Sequence, residues 1–340
     1  MTWFDESRLD DESALRTLDA RLRVLAESGA RIRREAHDAA AAVAEALGRA
    51  EQRPRAVVAA GPDSRLLRAV LEPWCPVPFV AWPSAGLPGW AGAMDLVVVL
   101  APHGSDAGSA SAAAEAVRRG CQLLVAAPAG SMVAEHAAGR WTLLLPVVTG
   151  DQLATAVVVL DYLHDVGLGP RVDPTEVATA LDQVAVACSP HRDLAVNPAK
   201  VLAIALADAL PVVWGGSVLA ARAARRVAES FRRASGRSAI AGDAEHLLPV
   251  IEATPRRDVF EDPFADPPAE LRPALVVLDD QHEDALVAEQ AARLREAARE
   301  RGVRVETVGT TATTEVGRYA SLLLSGTYAA EYLGLGLVDD

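Results

Sequence analysis

Asp243, Glu245 and His246 fall within four residues of the stretch "AGDAEHLLP" (241–249). A carboxylate beside a histidine is the usual composition of a proton-transfer pair, one group taking a proton and the other giving it. Three more stretches put small residues ahead of a helical pattern. "AAGPDSRLL" (59–67) holds Gly61 and Ser64, and "APHGSDAGSA" (101–110) holds His103, Gly104, Ser105 and Asp106. "WGGSVLAA" (214–221) holds Gly215, Gly216 and Ser217. Hydroxyls and free N–H groups at a helix start are the common seat of a phosphate. Asp106 is out of place there, because two unit charges about 4 Å apart repel by roughly 4 kcal/mol at an effective dielectric near 20. A protonated His103 would offset part of that. Each stretch also has a plain reading: Gly and Ser turn the chain and cap helices, His103 is a solvated loop histidine, and "GDAEH" is a polar turn. None of the patterns is specific alone, for the chain contains no GxGxxG, Walker loop, HExxH or GxSxG.

These stretches have in common that each follows a short apolar run. The runs are "AVVAA" (56–60), "PFVAW" (78–82), "DLVVVLA" (95–101), "QLLVAA" (122–127) and "WTLLLPV" (141–147). The rhythm resumes at "PVVWG" (211–215), "SAIA" (238–241), "LVVLDD" (275–280) and "VRVETV" (303–308). Continuous apolar strands alternating with helices predict an α/β fold with parallel sheets covered on both faces. Ligands of such sheets bind at the carboxyl ends of the strands, near the switch in strand order. Helical spacing covers 10–52 as two helices broken near "ESGA", then "DQLATAVVVLDYLHDVG" (151–167) and the segment after Asp173, with Pro174 at its first position. Further helices are expected over 199–209, 218–234, 283–301 and 314–334, the last apolar around most of its circumference and so expected to want burial. "TPRRDVFEDPFADPPAELRP" (254–273) reads as an excursion from the core. The expected division is 1–52 as helices packing on the core, 53–170 as a first domain, 171–196 as a connector and 197–340 as a second domain.

The chain has 340 residues, 51% of them hydrophobic, and a net charge of −13. That charge argues against backbone-driven nucleic-acid binding and against anionic membrane surfaces. Cys75, Cys121 and Cys188 stand far apart, which predicts a reduced, cytoplasmic protein without a structural metal. The acidic start "MTWFDESRLDDE" has no apolar core of a signal peptide, and no apolar run has the length of a membrane span. No cofactor is expected.

Four segments together carry a resemblance: "NPAK" (197–200), "LPVVWGGSVLAARAARR" (210–226), "GDAEH" (242–246) and "LLLSGTYAAEYLGLGLVD" (322–339). The chain resembles the bifunctional glucose-6-phosphate/mannose-6-phosphate isomerases, homodimers of two sugar isomerase (SIS) domains. The resemblance implies two SIS-like, doubly wound parallel-sheet domains with a helical N-terminal extension. It also implies an aldose–ketose isomerisation, in which a carboxylate moves a proton between C1 and C2 while hydroxyls and an arginine hold the phosphate. The family's catalytic glutamate falls on Asp243 and its histidine on His246; Glu245 is the other candidate base.

The departures lie in the phosphate loop. The family's Ser-Tyr-Ser-Gly-Asn-Thr run aligns with Ala101 to Asp106, so two serines become Ala101 and His103 and the threonine becomes Asp106. No arginine follows the fifth strand in "VVTGDQLATA". Two readings compete. In one the chain is a relative with weak or lost isomerase activity that binds a sugar-phosphate-like ligand or a partner protein. In the other it is an active isomerase, with Asp243 or Glu245 as base, His246 as ring-opening acid, and Ser64 and Ser105 on the phosphate. Gly104, Asp106, His103, Gly215, Gly216 and Ser217 complete the candidate ligand contacts, and a homodimer is expected.

Overall fold

A computed structural model gives the structure and describes residues 2–48, 53–62, 64–256 and 271–339. The chain begins with β1 (Thr2–Phe4), α1 (Glu12–Ala26), α2 (Ser28–Leu47), β2 (Val57–Ala60), α3 (Ser64–Leu71) and β3 (Phe79–Trp82). It continues with β4 (Leu96–Leu100), α4 (Ala107–Arg119), β5 (Gln122–Ala127), α5 (Met132–His136), β6 (Thr142–Pro146), α6 (Gln152–Asp165) and α7 (Pro174–Ala187). The second half holds α8 (Pro198–Ala205), β7 (Ala209–Gly215), α9 (Val218–Ser235), β8 (Ile240–Ala241) and α10 (Ala244–Glu252). It ends with β9 (Arg272–Asp279), α11 (Ala285–Arg301), β10 (Arg304–Gly309), α12 (Glu315–Gly336) and β11 (Leu337–Asp339). Two compact units result. One comprises residues 28–179 and the other joins 1–27 to 180–340.

The 28–179 unit is built on a five-stranded parallel sheet of order β3-β2-β4-β5-β6. Its central strands are fully buried, as unbroken Val and Ala runs require when helices cover both faces. One face packs Val97, Val99 and Val125 on alanines of α4; α2 packs on α6 and β6. The other unit carries a parallel sheet of order β10-β9-β7-β8. α10 and α11 cover one of its faces through Leu247, Ile251 and Leu294, while α9 packs on β7 and on α12. The chain is thus α/β with two doubly wound parallel sheets, as the alternation predicts, and strand order reverses between β2 and β4 and between β7 and β9.

Several expectations needed correction. The polar turn read in "GDAEH" is a helix start: Asp243 is the N-cap, and α10 runs from Ala244 with Pro249 inside it. The helix expected over 199–209 stops at Ala205, because Ala209 already pairs with β9. The antiparallel pair β1–β11 is added, since a pairing between the two ends of the sequence leaves no local signal. Residues 257–270 of the expected excursion lie outside the described residues. The apolar circumference of α12 finds its burial within the chain, against α8, α9 and α1.

Candidate functional site

In the first unit the loops after β2, β4 and β6 emerge at the carboxyl edge of the sheet. Gly61, after β2, takes φ +88°, and the Ser109 hydroxyl lies 2.7 Å from where its Cβ would be. Ser64 opens α3 with its N–H on the Gly61 carbonyl at 3.2 Å. The hydroxyls of Ser64 and Ser109 are both buried and have no hydrogen-bond partner among the described residues. After β4, Gly104 turns the chain at φ +69° against Pro128 and Ser131, where a side chain would collide. His103 and Ser105 are exposed. Asp106 is the N-cap of α4, and its Oδ1 accepts from the Ser109 N–H at 2.6 Å. A carboxylate thus holds the positive end of α4, where the resembled family seats a phosphate.

After β6 the free N–H groups are again taken by a carboxylate. Glu35, buried on α2, accepts from Val148 N–H at 3.1 Å, from Thr149 N–H at 2.6 Å and from the Thr149 hydroxyl. Arg31, one turn earlier on α2, pairs with Asp151 at 2.7 Å, and Asp151 caps α6. His103 lies against Gly150 of this loop.

The second unit repeats the pattern at its own switch in strand order. Gly215 abuts the Ala220 backbone and Gly216 abuts Val287, so neither has room for a Cβ. Ser217 caps α9, its Oγ accepting from Ala220 N–H at 3.0 Å, and its hydroxyl donates to the Asp280 carboxylate just beyond β9. Asp280 is further tied in by Arg318, which donates to its carbonyl at 3.1 Å. Gln281, beside it, takes φ +57° and donates from Nε2 to the Thr310 carbonyl at 2.8 Å.

Asp243 is the N-cap residue of α10, but its side chain makes no cap bond. Glu245 and His246 occupy the first turn of that helix, and both are exposed. His246 Nδ1 lies 4.0 Å from Asp243 Oδ2, with the two side chains 80% and 68% exposed, and Arg225 reaches Asp243 at 3.9 Å. The structure therefore brings Asp243 and His246 near each other in open solvent, and Ser217 to Asp280. Among the described residues no group of three or more His, Cys, Asp and Glu side chains is placed to hold a metal ion.

"NPAK" has structural duties. Asn197 caps α8 by accepting from the N–H groups of Ala199 and Lys200 and donates to the Ser189 carbonyl at 2.9 Å. Lys200, fully buried, donates to Asp10 at 2.5 Å and to the carbonyls of Pro190 and Arg192. It lies 5.8 Å over the ring of Tyr332, whose hydroxyl donates to the Cys188 carbonyl at 2.7 Å. Burial pushes the Cys188 thiol up to about 12 and raises Tyr332 as well.

Sequence reasoning missed Glu35, Ser109, Thr149 and Asp280. A signal existed for two of them. Glu35 sits on the apolar stripe of α2 between Ile32 and Ala39, and Asp280 ends an apolar run at a strand's carboxyl end.

Residues 195–337 match the family model of the bacterial phospho-glucose isomerase C-terminal SIS domain. No match was found among curated protein sequences. Solved structures resemble nearly the whole chain. Tagatose-6-phosphate ketose/aldose isomerase from Escherichia coli aligns with a TM-score of 0.66 at 12% identity, over 92% of this chain and 93% of that one. A glucose-6-phosphate isomerase like protein from Thermus thermophilus aligns at 0.51 and 18%, over 88% and 89%. The C-terminal domain of glucosamine-fructose-6-phosphate aminotransferase from Francisella tularensis aligns at 0.54 and 10%, over 89% and 94%. The chain thus has the α/β fold of the SIS phosphosugar isomerases, and its second half carries the match to the bacterial phosphoglucose isomerase SIS domain.

Proposed function

We propose that this chain is a phosphosugar-isomerase relative in which hexose-phosphate isomerisation is weak or lost. On this reading it keeps the fold to bind a sugar-phosphate-like ligand or a partner protein. The observation that carries the reading is the Asp106 carboxylate on the Ser109 N–H in the first turn of α4. Glu35 on Val148 and Thr149, and Asp280 on Ser217, support it, since each set of donors already holds a negative group. The exposure of Asp243, Glu245 and His246 points the same way, because a proton-transfer pair needs a site that excludes water. Losing one electrostatic donor commonly costs about a hundred- to a thousandfold in rate, and several are replaced together here. A coupled assay of fructose 6-phosphate formation from glucose 6-phosphate and mannose 6-phosphate tests the reading. The expected result is no turnover above background; many turnovers per second would overturn it.

One observation favours the active-isomerase alternative: the hydroxyl of Ser64, which has no partner among the described residues and could meet a phosphate oxygen. In that reading Asp243 or Glu245 is the base, His246 the acid, and Ser105 a second phosphate donor. A homodimer belongs to either reading through the resemblance; light scattering after size exclusion checks it, and a monomer at tens of micromolar counts against it.

A further inference from the structure

In a parallel sheet every strand starts at the same edge, so the segments entering β2 to β6 gather at the amino edge of the first sheet, away from the loops described above. Trp74, ahead of β3, Trp90 and Met94, ahead of β4, and Trp141, ahead of β6, are between 46% and 68% exposed there. Leu47 and Val166, at the ends of α2 and α6, join them. Of the large apolar side chains exposed among the described residues of this unit, only Met132 and Val148 lie elsewhere. Such a concentration marks an interaction surface. It surrounds a cavity of about 280 Å³ lined by Leu96, Leu123, Leu143 and Leu168, with Trp141, Arg53 and the carboxylate residue Asp165 at its polar side. That volume falls just short of typical small-molecule sites, which begin at about 300 Å³, and suits one large apolar side chain. The five strands span about 19 Å at ~4.8 Å each, a width that only a macromolecular segment covers.

The chain carries −13 overall, yet two arginines, Arg53 in the lining and Arg140 on Trp141, stand beside this cavity against one lining carboxylate, Asp165. Beyond the Arg55–Asp95 and Arg119–Glu115 pairs the edge adds Arg53, Arg118 and Arg140, against Asp165 and Glu45. Arg118 serves the carboxyl end of α4, where the dipole favours a cation. Arg53 and Arg140 lie outside helices and owe their place to no such effect. The Arg140 guanidinium stacks on the Trp141 ring at 4.8 Å, which fixes a charge beside the cavity.

We propose that this edge docks an acidic protein segment bearing large apolar side chains: one apolar side chain enters the cavity beside Trp141 while neighbouring carboxylates pair with Arg140 and Arg53. The test selects binders from a displayed library of random peptides against the intact chain, then measures their affinity for exposed-site variants that keep the native melting behaviour. Selected peptides are expected to combine Asp or Glu with Trp, Phe or Leu. They are expected to weaken with salt and to lose about tenfold or more in affinity against both Trp141→Ala and Arg140→Glu. Met132→Ala, on the opposite edge, is expected to change nothing. Binders without acidic enrichment, or binders indifferent to both variants, would overturn the proposal. So would sedimentation showing self-association that Trp141→Ala abolishes, which would make the edge a contact between copies.

Discussion

Asp106 shows how one residue can serve the fold and oppose the ligand. Its carboxylate caps α4 through the Ser109 N–H at 2.6 Å. Changing Asp106 to Thr, His103 to Ser and Ala101 to Ser rebuilds the resembled family's loop. The rebuilt protein is expected to bind fructose 6-phosphate more tightly in calorimetric titration, since a charge leaves and hydroxyls arrive. It should also lose about 1 kcal/mol of stability with the cap. Equal affinity of both proteins would show that Asp106 does not face the ligand. A second residue makes a pH prediction. Burial raises the Asp161 carboxyl to about 6, with Asp165 and Asp173 adding to the shift and His164 opposing it. The folded value lies above the unfolded one of about 3.9, so the folded state binds more protons between them and stability falls as pH rises from about 4 to 6. Asp161→Asn removes that penalty. It should stabilise the chain at pH 7 by roughly 1–2 kcal/mol, allowing for solvent at a half-buried group, and leave it unchanged near pH 4. Urea titrations at the two pH values decide, and an equal effect at both would sink the assignment.

At the scale of elements, α9 and α12 approach so closely that Gly334 lies against the Ala234 carbonyl and Gly326 against Val227. Gly334→Ala should therefore destabilise despite a gain of about 1 kcal/mol in helix propensity. Overpacking against backbone costs roughly 1–3 kcal/mol, so a net loss is expected, and a higher melting temperature would contradict the packing described. The strands of both sheets were legible because buried parallel strands read as unbroken apolar runs bounded by turns, as "LVVVL" and "QLLVAA" do. α10 was not, since Pro249 and its short length mask a helical pattern. The same limit governs the site. The Asp106 cap is a local interaction, three residues long, and could be anticipated. The bonds of Glu35 to Thr149 and of Ser217 to Asp280 join residues 114 and 63 positions apart, so nothing in either segment announces them.

At the scale of the molecule, the beginning and end of the sequence share one compact unit. β1 pairs with β11, Phe4 packs on Gly336, and Arg8 donates to the Leu335 carbonyl at 2.9 Å. Leu9 is fully buried and Asp10 neutralises the fully buried Lys200. Removing residues 1–10 takes away all of these at once. Burial of one leucine is worth about 1.5–3 kcal/mol, and stranding one partner of a buried ion pair costs about 3–5 kcal/mol. Asp10 is itself half exposed, so the lower end of that range applies. A loss of about 5 kcal/mol is expected, a large part of the 5–15 kcal/mol that holds an ordinary domain folded. Lys200→Met separates the two contributions. In the shortened chain it removes the stranded ammonium and should restore part of the loss. In the intact chain it frees a carboxylate that water already reaches and forfeits the bonds of Lys200 to the Pro190 and Arg192 carbonyls, so it should destabilise. Opposite signs of the same substitution in the two backgrounds, read from urea unfolding, are the expected outcome. The same sign in both would mean that Asp10 does not hold the Lys200 charge and that the amino-terminal segment adds only its apolar contacts.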